Sequence, residues 1–224
     1  MQNVSLPYSN YIDYALLKPT ITPDEIKKGC AEAIKYKFTS VCVPPTYVRL
    51  AVRELENTSV KVGTVIGFPL GYVTSKTKAY EAQKAVEEGA KELDILIQIG
   101  LAKAGYYEKV AAEITDIAKR FYKNITLKAI LELGYFSLAE KQKLILALKS
   151  TPVHFLKTAT GFGPEGATLE DIHLMKRLLK GEKEIKAAGG IKDAATFLAM
   201  LKAGATRIGT SSGIAIIQEL CKKS

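Results

Sequence analysis

Residues 153–190 read VHFLKTATGFGPEGATLEDIHLMKRLLKGEKEIKAAGG and contain the pattern of a strand, a helix and a second strand. The apolar runs at 153–158 and 185–188 are each short, as expected of strands that are covered on both sides. Between them, Thr168 and the acidic residues after it begin a predicted helix, and Gly181 ends it. Two strands joined in this way lie parallel, so the stretch predicts an α/β fold.

The same alternation of strand and helix patterns runs through all 224 residues. Six further apolar runs bring the number of predicted strands to eight: 12–17, 39–43, 61–66, 93–97, 127–131 and 207–209. Helix signals stand between them, with caps at Thr22 and Ser137 and helices at 75–88, 194–202 and 212–220. A closed barrel and an open doubly wound sheet both fit this order. The strand count and the lack of GxGxxG after the first strand favour a (β/α)8 TIM barrel, with residues 1–224 as a single catalytic domain.

Composition limits the classes of protein that the chain can be. The net charge is +9, but the lysines are spread along the chain, which favours a solvated surface over nucleic-acid binding. The cysteines form no CxxC pair, so we expect free thiols in a reducing compartment. No signal peptide and no long apolar run are evident, so we expect a cytoplasmic protein without a membrane partner.

Active sites of this barrel lie at the carboxyl ends of the strands, where a buried polar residue is costly unless it has a function. Lys157 and Lys186 lie near the ends of neighbouring predicted strands, and Asp94 lies inside the fourth. We interpret these three as catalytic. Three other strand lysines rank lower because they are at or near strand starts: Lys61, Lys91 and Lys128.

The pair Lys157 and Lys186 has a specific physical meaning. An ordinary lysine has a pKa near ~10.4 and is almost fully charged at neutral pH. A second ammonium group about 4 Å away disfavours the charged form of the lysine by about 4 kcal/mol at an effective dielectric of about 20. Burial lowers the pKa of the lysine further. Together they bring one amine close to neutrality, which activates it as a nucleophile. Asp94 limits the positive charge and is placed to pass a proton through water.

Glycines and a helix start follow the seventh and eighth strands. Gly189 and Gly190 end one strand, and Gly209, Ser211 and Ser212 end the next. Glycine lets backbone N–H groups approach an anion, and a helix N-terminus adds partial positive charge. This position is the usual phosphate site of the barrel, so these five residues predict phosphate binding.

Other polar residues give weaker signals. His154 and His173 are assigned to surface or packing roles, and Cys42 to a small buried side chain near the barrel mouth. No HExxH, Ser-His-Asp or carboxylate–histidine set is present, so we expect neither a metal nor another cofactor.

The chain resembles the deoxyribose-phosphate aldolase family of class I aldolases over almost its whole length. The matching segments are residues 12–19, 40–43, 62–71, 92–95, 156–162, 185–191 and 204–213. The resemblance implies reversible cleavage of 2-deoxy-D-ribose 5-phosphate to glyceraldehyde 3-phosphate and acetaldehyde, without a metal, in a homodimer. It makes Lys157 the Schiff-base lysine, Lys186 the residue that perturbs its pKa, and Asp94 the acid–base partner.

The same motifs add Asp13, Cys42, Thr160 and Gly161 as substrate-pocket residues. The chain departs from the family pattern at five positions, each of which bears on substrate contacts or turnover: Tyr14, Ala15, Pro44, Gln98 and Phe162. Two alternatives remain open. One is a Schiff-base aldolase for another phosphosugar, such as a fructose phosphate, with a ketone donor. The other is a basic barrel that binds phosphosugars or nucleic acid without catalysis; the lysine pair argues against it, because a binder needs no neutral amine.

Overall fold

The computed structural model describes residues 7–121 and 123–222 of the chain. Within those residues, eight strands each pair in parallel with the next, and the first also pairs with the eighth. The strands are β1 (Ile12–Ala15), β2 (Ser40–Val43), β3 (Lys61–Ile66), β4 (Glu92–Leu96), β5 (Thr126–Ile130), β6 (Phe155–Lys157), β7 (Glu184–Ala188) and β8 (Arg207–Thr210). The sheet therefore closes on itself. The predicted (β/α)8 barrel is confirmed, and the open-sheet alternative is wrong.

At least one helix follows every strand. The helices are α1 (Pro23–Tyr36), α2 (Val48–Glu54), α3 (Ser75–Glu87), α4 (Ile99–Lys103), α5 (Tyr107–Ala118), α6 (Leu138–Lys149), α7 (Leu169–Leu179), α8 (Ala194–Ala203) and α9 (Gly213–Lys222). Thr22 and Glu25 form a reciprocal capping pair before α1, and Ser137 and Glu140 do so before α6. These two predicted helix starts are confirmed. In the described residues, no helix has both the length and the apolar character needed to cross a bilayer.

Residues along the strands alternate between two buried environments. In β4, Leu93 and Ile95 belong to the hydrophobic core between the sheet and the helices. Glu92 and Asp94, which alternate with them along the strand, are buried polar residues. Asp13 occupies the equivalent position in β1. The outer face of the barrel is therefore packed with aliphatic side chains, while charged side chains fill part of its interior.

Candidate active site

Seven charged side chains from six strands meet inside the barrel. We call them the barrel charge cluster: Asp13, Glu92, Asp94, Lys128, Lys157, Lys186 and Arg207. All are buried except Arg207, which is nearly so. Charges in such surroundings are tolerated only where each has a partner, so the contacts within the cluster decide its chemistry.

Asp94 is at the centre of the cluster and accepts hydrogen bonds from three amines. Its Oδ2 lies 2.8 Å from Nζ of Lys157 and 2.7 Å from Nζ of Lys186. Its Oδ1 lies 2.8 Å from Nζ of Lys128. Because the first two amines share one oxygen, their nitrogens are at most about 5.5 Å apart, the sum of those two distances. The structure thus brings together the three residues predicted as catalytic.

Charge balance singles out one of the amines. Without Lys157, the barrel charge cluster, as the described residues define it, contains three carboxylates and three cations. A fourth cation would be uncompensated in a buried site, where an unpaired charge is expensive. The electrically balanced state of the cluster therefore has Lys157 as a neutral amine.

The pKa shifts follow the same pattern. Burial is the main cause that lowers the pKa of Lys157; Asp94 opposes this effect, and the charge of Lys186 reinforces it. Burial also acts to lower the pKa of Lys186, but Asp13 and Asp94 outweigh it and hold this pKa above its usual value. Burial would raise the pKa of Asp94, yet the cations around it keep that pKa well below the usual range. One lysine is thus biased towards the neutral form and its neighbour towards the charged form.

Asp13 is the second carboxylate that holds Lys186. Its Oδ2 is 2.6 Å from Nζ of Lys186, in ion-pair contact without hydrogen-bond geometry. Its Oδ1 accepts from the guanidinium of Arg207 and from the hydroxyl of Ser40, both at 2.6 Å. These contacts fix Asp13 from three sides, so Lys186 is held between two immobilised carboxylates.

A cavity of about 250 Å³ opens above Lys157 at the carboxyl end of the barrel. Its lining contains ten of the residues predicted from the sequence: Asp13, Cys42, Lys157, Thr160, Gly161, Lys186, Gly189, Gly190, Gly209 and Ser211. Asp94 is not part of the lining, but it contacts two residues that are, Lys157 and Lys186. Ser212 is not part of the lining, and its backbone N–H donates to Oγ1 of Thr210.

The glycines that follow β7 and the glycine within β8 are required by geometry. Gly189 and Gly190 have φ values of 91° and 77°, in the left-handed region that favours glycine. A Cβ atom at Gly209 would lie 3.0 Å from Cε of Lys186 and 3.1 Å from Cβ of Ala188. The absence of a side chain at Gly209 therefore leaves room for the amine-bearing chain of Lys186.

Several residues of the site were missed or underestimated by the sequence interpretation. Lys128 was ranked low as a residue near a strand start, but it is the third residue of β5 and the register partner of Asp94. Glu92 accepts from Lys128 at 2.6 Å. The alternation of Glu92 and Asp94 along an apolar strand was the available signal, because residues two apart face the same side. Two exposed lysines of the lining, Lys18 and Lys192, gave no comparable signal.

The departures from the family pattern fall into two groups. Tyr14 and Gln98 face away from the cavity: the Tyr14 hydroxyl donates to Glu32, and the Gln98 amide donates to Glu113. Pro44 lines a neighbouring apolar cavity. The remaining two, Ala15 and Phe162, line the cavity above Lys157. Only this second group changes the surface that a bound molecule meets.

His154 packs against the neighbouring strand, whereas Cys42 lines the cavity. Nδ1 of His154 accepts from the backbone N–H of Leu127, and burial lowers the pKa of this histidine. Burial raises the pKa of the Cys42 thiol to about 11, so the thiol is protonated at neutral pH. Across residues 7–121 and 123–222, no three His, Cys, Asp or Glu side chains come together as metal ligands.

A (β/α)8 barrel that holds a buried amine beside a second amine and a carboxylate, under an open cavity, has the arrangement of an enzyme that acts on a small substrate. Residues 11–223 match the DeoC/LacD family of aldolases. The chain belongs to this family.

Relatives of the chain agree with this assignment. A deoxyribose-phosphate aldolase of Thermus thermophilus is 47% identical over 207 residues, which cover 92% of this chain and 94% of the relative. The enzyme of the same name from Staphylococcus carnosus is 46% identical over 215 residues, covering 96% and 97%. The solved tetrameric deoxyribose phosphate aldolase of Aeropyrum pernix superposes with a TM-score of 0.90 at 29% identity, covering 97% of this chain and 92% of that one.

Proposed function

We propose that this chain reversibly cleaves 2-deoxy-D-ribose 5-phosphate into D-glyceraldehyde 3-phosphate and acetaldehyde. The observation that carries the proposal is the shared contact of Lys157 and Lys186 with Oδ2 of Asp94, at 2.8 and 2.7 Å, beneath the cavity. The proposed substrate is taken from the name of the two relatives, which are both deoxyribose-phosphate aldolases.

Lys157 serves as the nucleophile. Its neutral amine attacks C1 of the open-chain sugar, and loss of water gives an iminium ion. The C3 hydroxyl then loses its proton, the C2–C3 bond breaks, and the bonding electrons pass into the iminium to give an enamine. Glyceraldehyde 3-phosphate leaves at this point. Protonation of the enamine at C2, followed by addition of water, releases acetaldehyde and restores the amine.

Asp94 and Lys186 handle the protons and the charge. Lys186 remains a cation between Asp13 and Asp94 and disfavours a second positive charge on the free amine of Lys157. Asp94 contacts both amines and is therefore the acid–base partner, acting through water where the substrate is out of direct reach. Asp13, Cys42, Thr160 and Gly161 contribute to the cavity wall around the sugar.

The phosphate group lies at the β7 and β8 end of the cavity. Gly189, Gly190, Gly209 and Ser211 line it there, next to the N-terminus of α9. Ser212, directly before α9, completes the proposed set of phosphate-binding residues, and its backbone N–H donates to Oγ1 of Thr210. Lys192, which is exposed and also lines the cavity, adds a positive charge for the dianion.

Borohydride reduction in the presence of deoxyribose 5-phosphate or acetaldehyde tests the proposal. The expected result is a stable covalent adduct on Lys157, located by peptide mass spectrometry. Lys157→Leu removes the adduct and acetaldehyde release, while Lys202→Leu, on the exposed face of α8, preserves both. An adduct on another lysine, or turnover only with ketone donors, contradicts the proposal.

The assembly and cellular location are finer parts of the same proposal. We propose a homodimer in the cytoplasm that binds neither membranes nor nucleic acid. The solved Aeropyrum pernix relative is a tetramer by its description, so sedimentation velocity of the purified chain distinguishes the two assemblies. Retro-aldol activity without salt-dependent DNA binding is the expected outcome for an enzyme of this kind.

A further inference from the structure

A buried carboxylate outside the barrel charge cluster has no part in the chemistry described above. Glu132 lies two residues after the end of β5, is 1% exposed, and has φ 50° and ψ 58°. This left-handed backbone is unfavourable for a residue with a side chain, and it persists only where the surroundings hold it. Such positions often have a functional reason, so the contacts of Glu132 are informative.

The carboxylate of Glu132 supports the loop between β6 and α7. The backbone N–H of Thr160 donates to both of its oxygens, at 3.1 and 3.3 Å. The same loop passes so close at Gly163 that a Cβ atom there would lie 2.7 Å from Oε1 of Glu132. The carboxylate of Glu132 is therefore in close contact with this loop at both Thr160 and Gly163.

This loop forms one wall of the cavity. Thr160, Gly161 and Phe162 line it, and the backbone N–H of Phe162 donates to Oγ1 of Thr160 at 2.9 Å. Near its far end, the loop is tied by the backbone N–H of Ala167, which donates to the carbonyl of Gly189. Of these two hydrogen-bonded contacts, the one between Glu132 and the backbone of Thr160 is at the residues that line the cavity.

The role of Glu132 does not require a negative charge. Burial raises the pKa of Glu132, while the hydrogen bonds from Thr160 act against that rise. What the Thr160 N–H needs is an acceptor oxygen, which an amide also provides.

We propose that Glu132 is a positioning residue whose carboxylate holds the wall formed by Thr160, Gly161 and Phe162 at the height that fits the substrate. The inference rests on the proposed function of the cavity above Lys157, but the contact itself can be tested without activity. Glu132 acts through Thr160 and does not line the cavity.

Two substitutions separate this role from a structural one. Glu132→Gln keeps an oxygen for the Thr160 N–H, so KM for deoxyribose 5-phosphate is expected to stay within about twofold. Glu132→Gly removes the acceptor but suits the left-handed backbone, so the fold is retained. Loss of one buried hydrogen bond then raises KM about tenfold, with kcat within about threefold. Glu165→Ala, an exposed carboxylate on the same loop, is the matched control and leaves both constants unchanged.

Hydrogen exchange of the Thr160 amide gives the second readout. It is expected to speed up in Glu132→Gly and to remain slow in Glu132→Gln. Equal loss of activity in both variants would mean that the negative charge of Glu132 is needed. Unchanged KM and unchanged amide exchange in Glu132→Gly would mean that the loop keeps its position without Glu132. Either result overturns the inference. If the wild-type enzyme does not cleave deoxyribose 5-phosphate, the proposed function fails, while the exchange experiment still decides whether Glu132 anchors the loop.

Discussion

Lys157 and Lys186 are register partners on the neighbouring strands β6 and β7. Paired residues of adjacent strands project to the same side of a sheet, so the two amines leave the barrel wall side by side. A slip of one residue in either strand would turn one amine towards the helices. The spacing of the reactive pair is thus set by the backbone hydrogen bonds of the sheet, not by a flexible loop.

Replacing Lys186 by Met is expected to move the activity of the enzyme to higher pH. The charge of Lys186 helps to lower the pKa of Lys157, whereas Asp94 raises it. Without Lys186 the opposing effect of Asp94 dominates, the pKa of Lys157 rises, and less neutral amine is present at pH 7. We expect kcat/KM at pH 7 to fall about 100-fold or more. The profile of kcat/KM against pH measures the shift, with Lys202→Met as control; an unmoved ascending limb, on the acid side of the profile, would contradict the argument.

Replacing Lys128 by Met is expected to destabilise the fold strongly. The amine of Lys128 is 2.6 Å from Glu92 and 2.8 Å from Asp94, and all three side chains are buried. Removing one partner of a buried ion pair leaves an uncompensated charge and costs about 3–5 kcal/mol. The double variant Lys128→Met, Glu92→Leu removes one charge of each sign and should be less destabilised than Lys128→Met alone. Urea unfolding checks this order, and a double variant that is the weaker of the two would refute it.

Acid is expected to unfold the protein through Asp94 and Asp13. The pKa of each is lower in the folded state, because the surrounding cations outweigh burial. A carboxylate of this kind stabilises the fold above its unfolded pKa of about 3.9, and this stabilisation is lost as the pH falls towards the folded pKa. Asp94→Asn should therefore show a shallower loss of unfolding free energy between about pH 5 and pH 2. Urea titrations at several pH values measure the slope, and Asp24→Asn at an exposed site should leave it unchanged.

Replacing Lys192 by Ala is expected to weaken binding of the phosphosugar more than its chemistry. Lys192 is an exposed lysine in the lining of the cavity, on the side of the glycine-rich turns. Loss of a charge-assisted contact to phosphate should raise KM for deoxyribose 5-phosphate about tenfold, with kcat nearly unchanged. Unphosphorylated deoxyribose is the control substrate, and its kinetic constants should not respond. An equal effect on both substrates would show that Lys192 does not act through the phosphate.

The architecture and the two central lysines could be predicted from the sequence because both depend on local patterns. Short apolar strands separated by capped helices predict the barrel, and a lysine late in an apolar strand predicts a position at the barrel mouth. Asp94 was predicted only as a residue inside the fourth strand that limits the positive charge of the lysine pair, and its contact with both amines is seen in the structure. The roles of the three in catalysis remain predictions.

The contacts of Arg207 within the barrel charge cluster could not be predicted in the same way. Arg207 is the first residue of β8, yet its guanidinium reaches Asp13 on β1 and Glu92 on β4. Such contacts depend on the stagger of strands around a closed barrel, which no single segment reveals. The opposite orientations of Tyr14 and Ala15 depend likewise on which face of β1 each residue occupies.

The three amines that converge on Asp94 also impose an order on events. Because both of its oxygens accept hydrogen bonds from amines, this carboxylate is a weak base in the resting enzyme. In the proposed reaction, the iminium carries a positive charge at the nitrogen of Lys157 that the neutral amine lacks, so Asp94 becomes a still weaker base once substrate is bound. Cleavage of the C2–C3 bond turns the iminium into an uncharged enamine and returns the cluster to three carboxylates and three cations. Capture of the aldehyde therefore charges the barrel, and breaking the carbon–carbon bond discharges it.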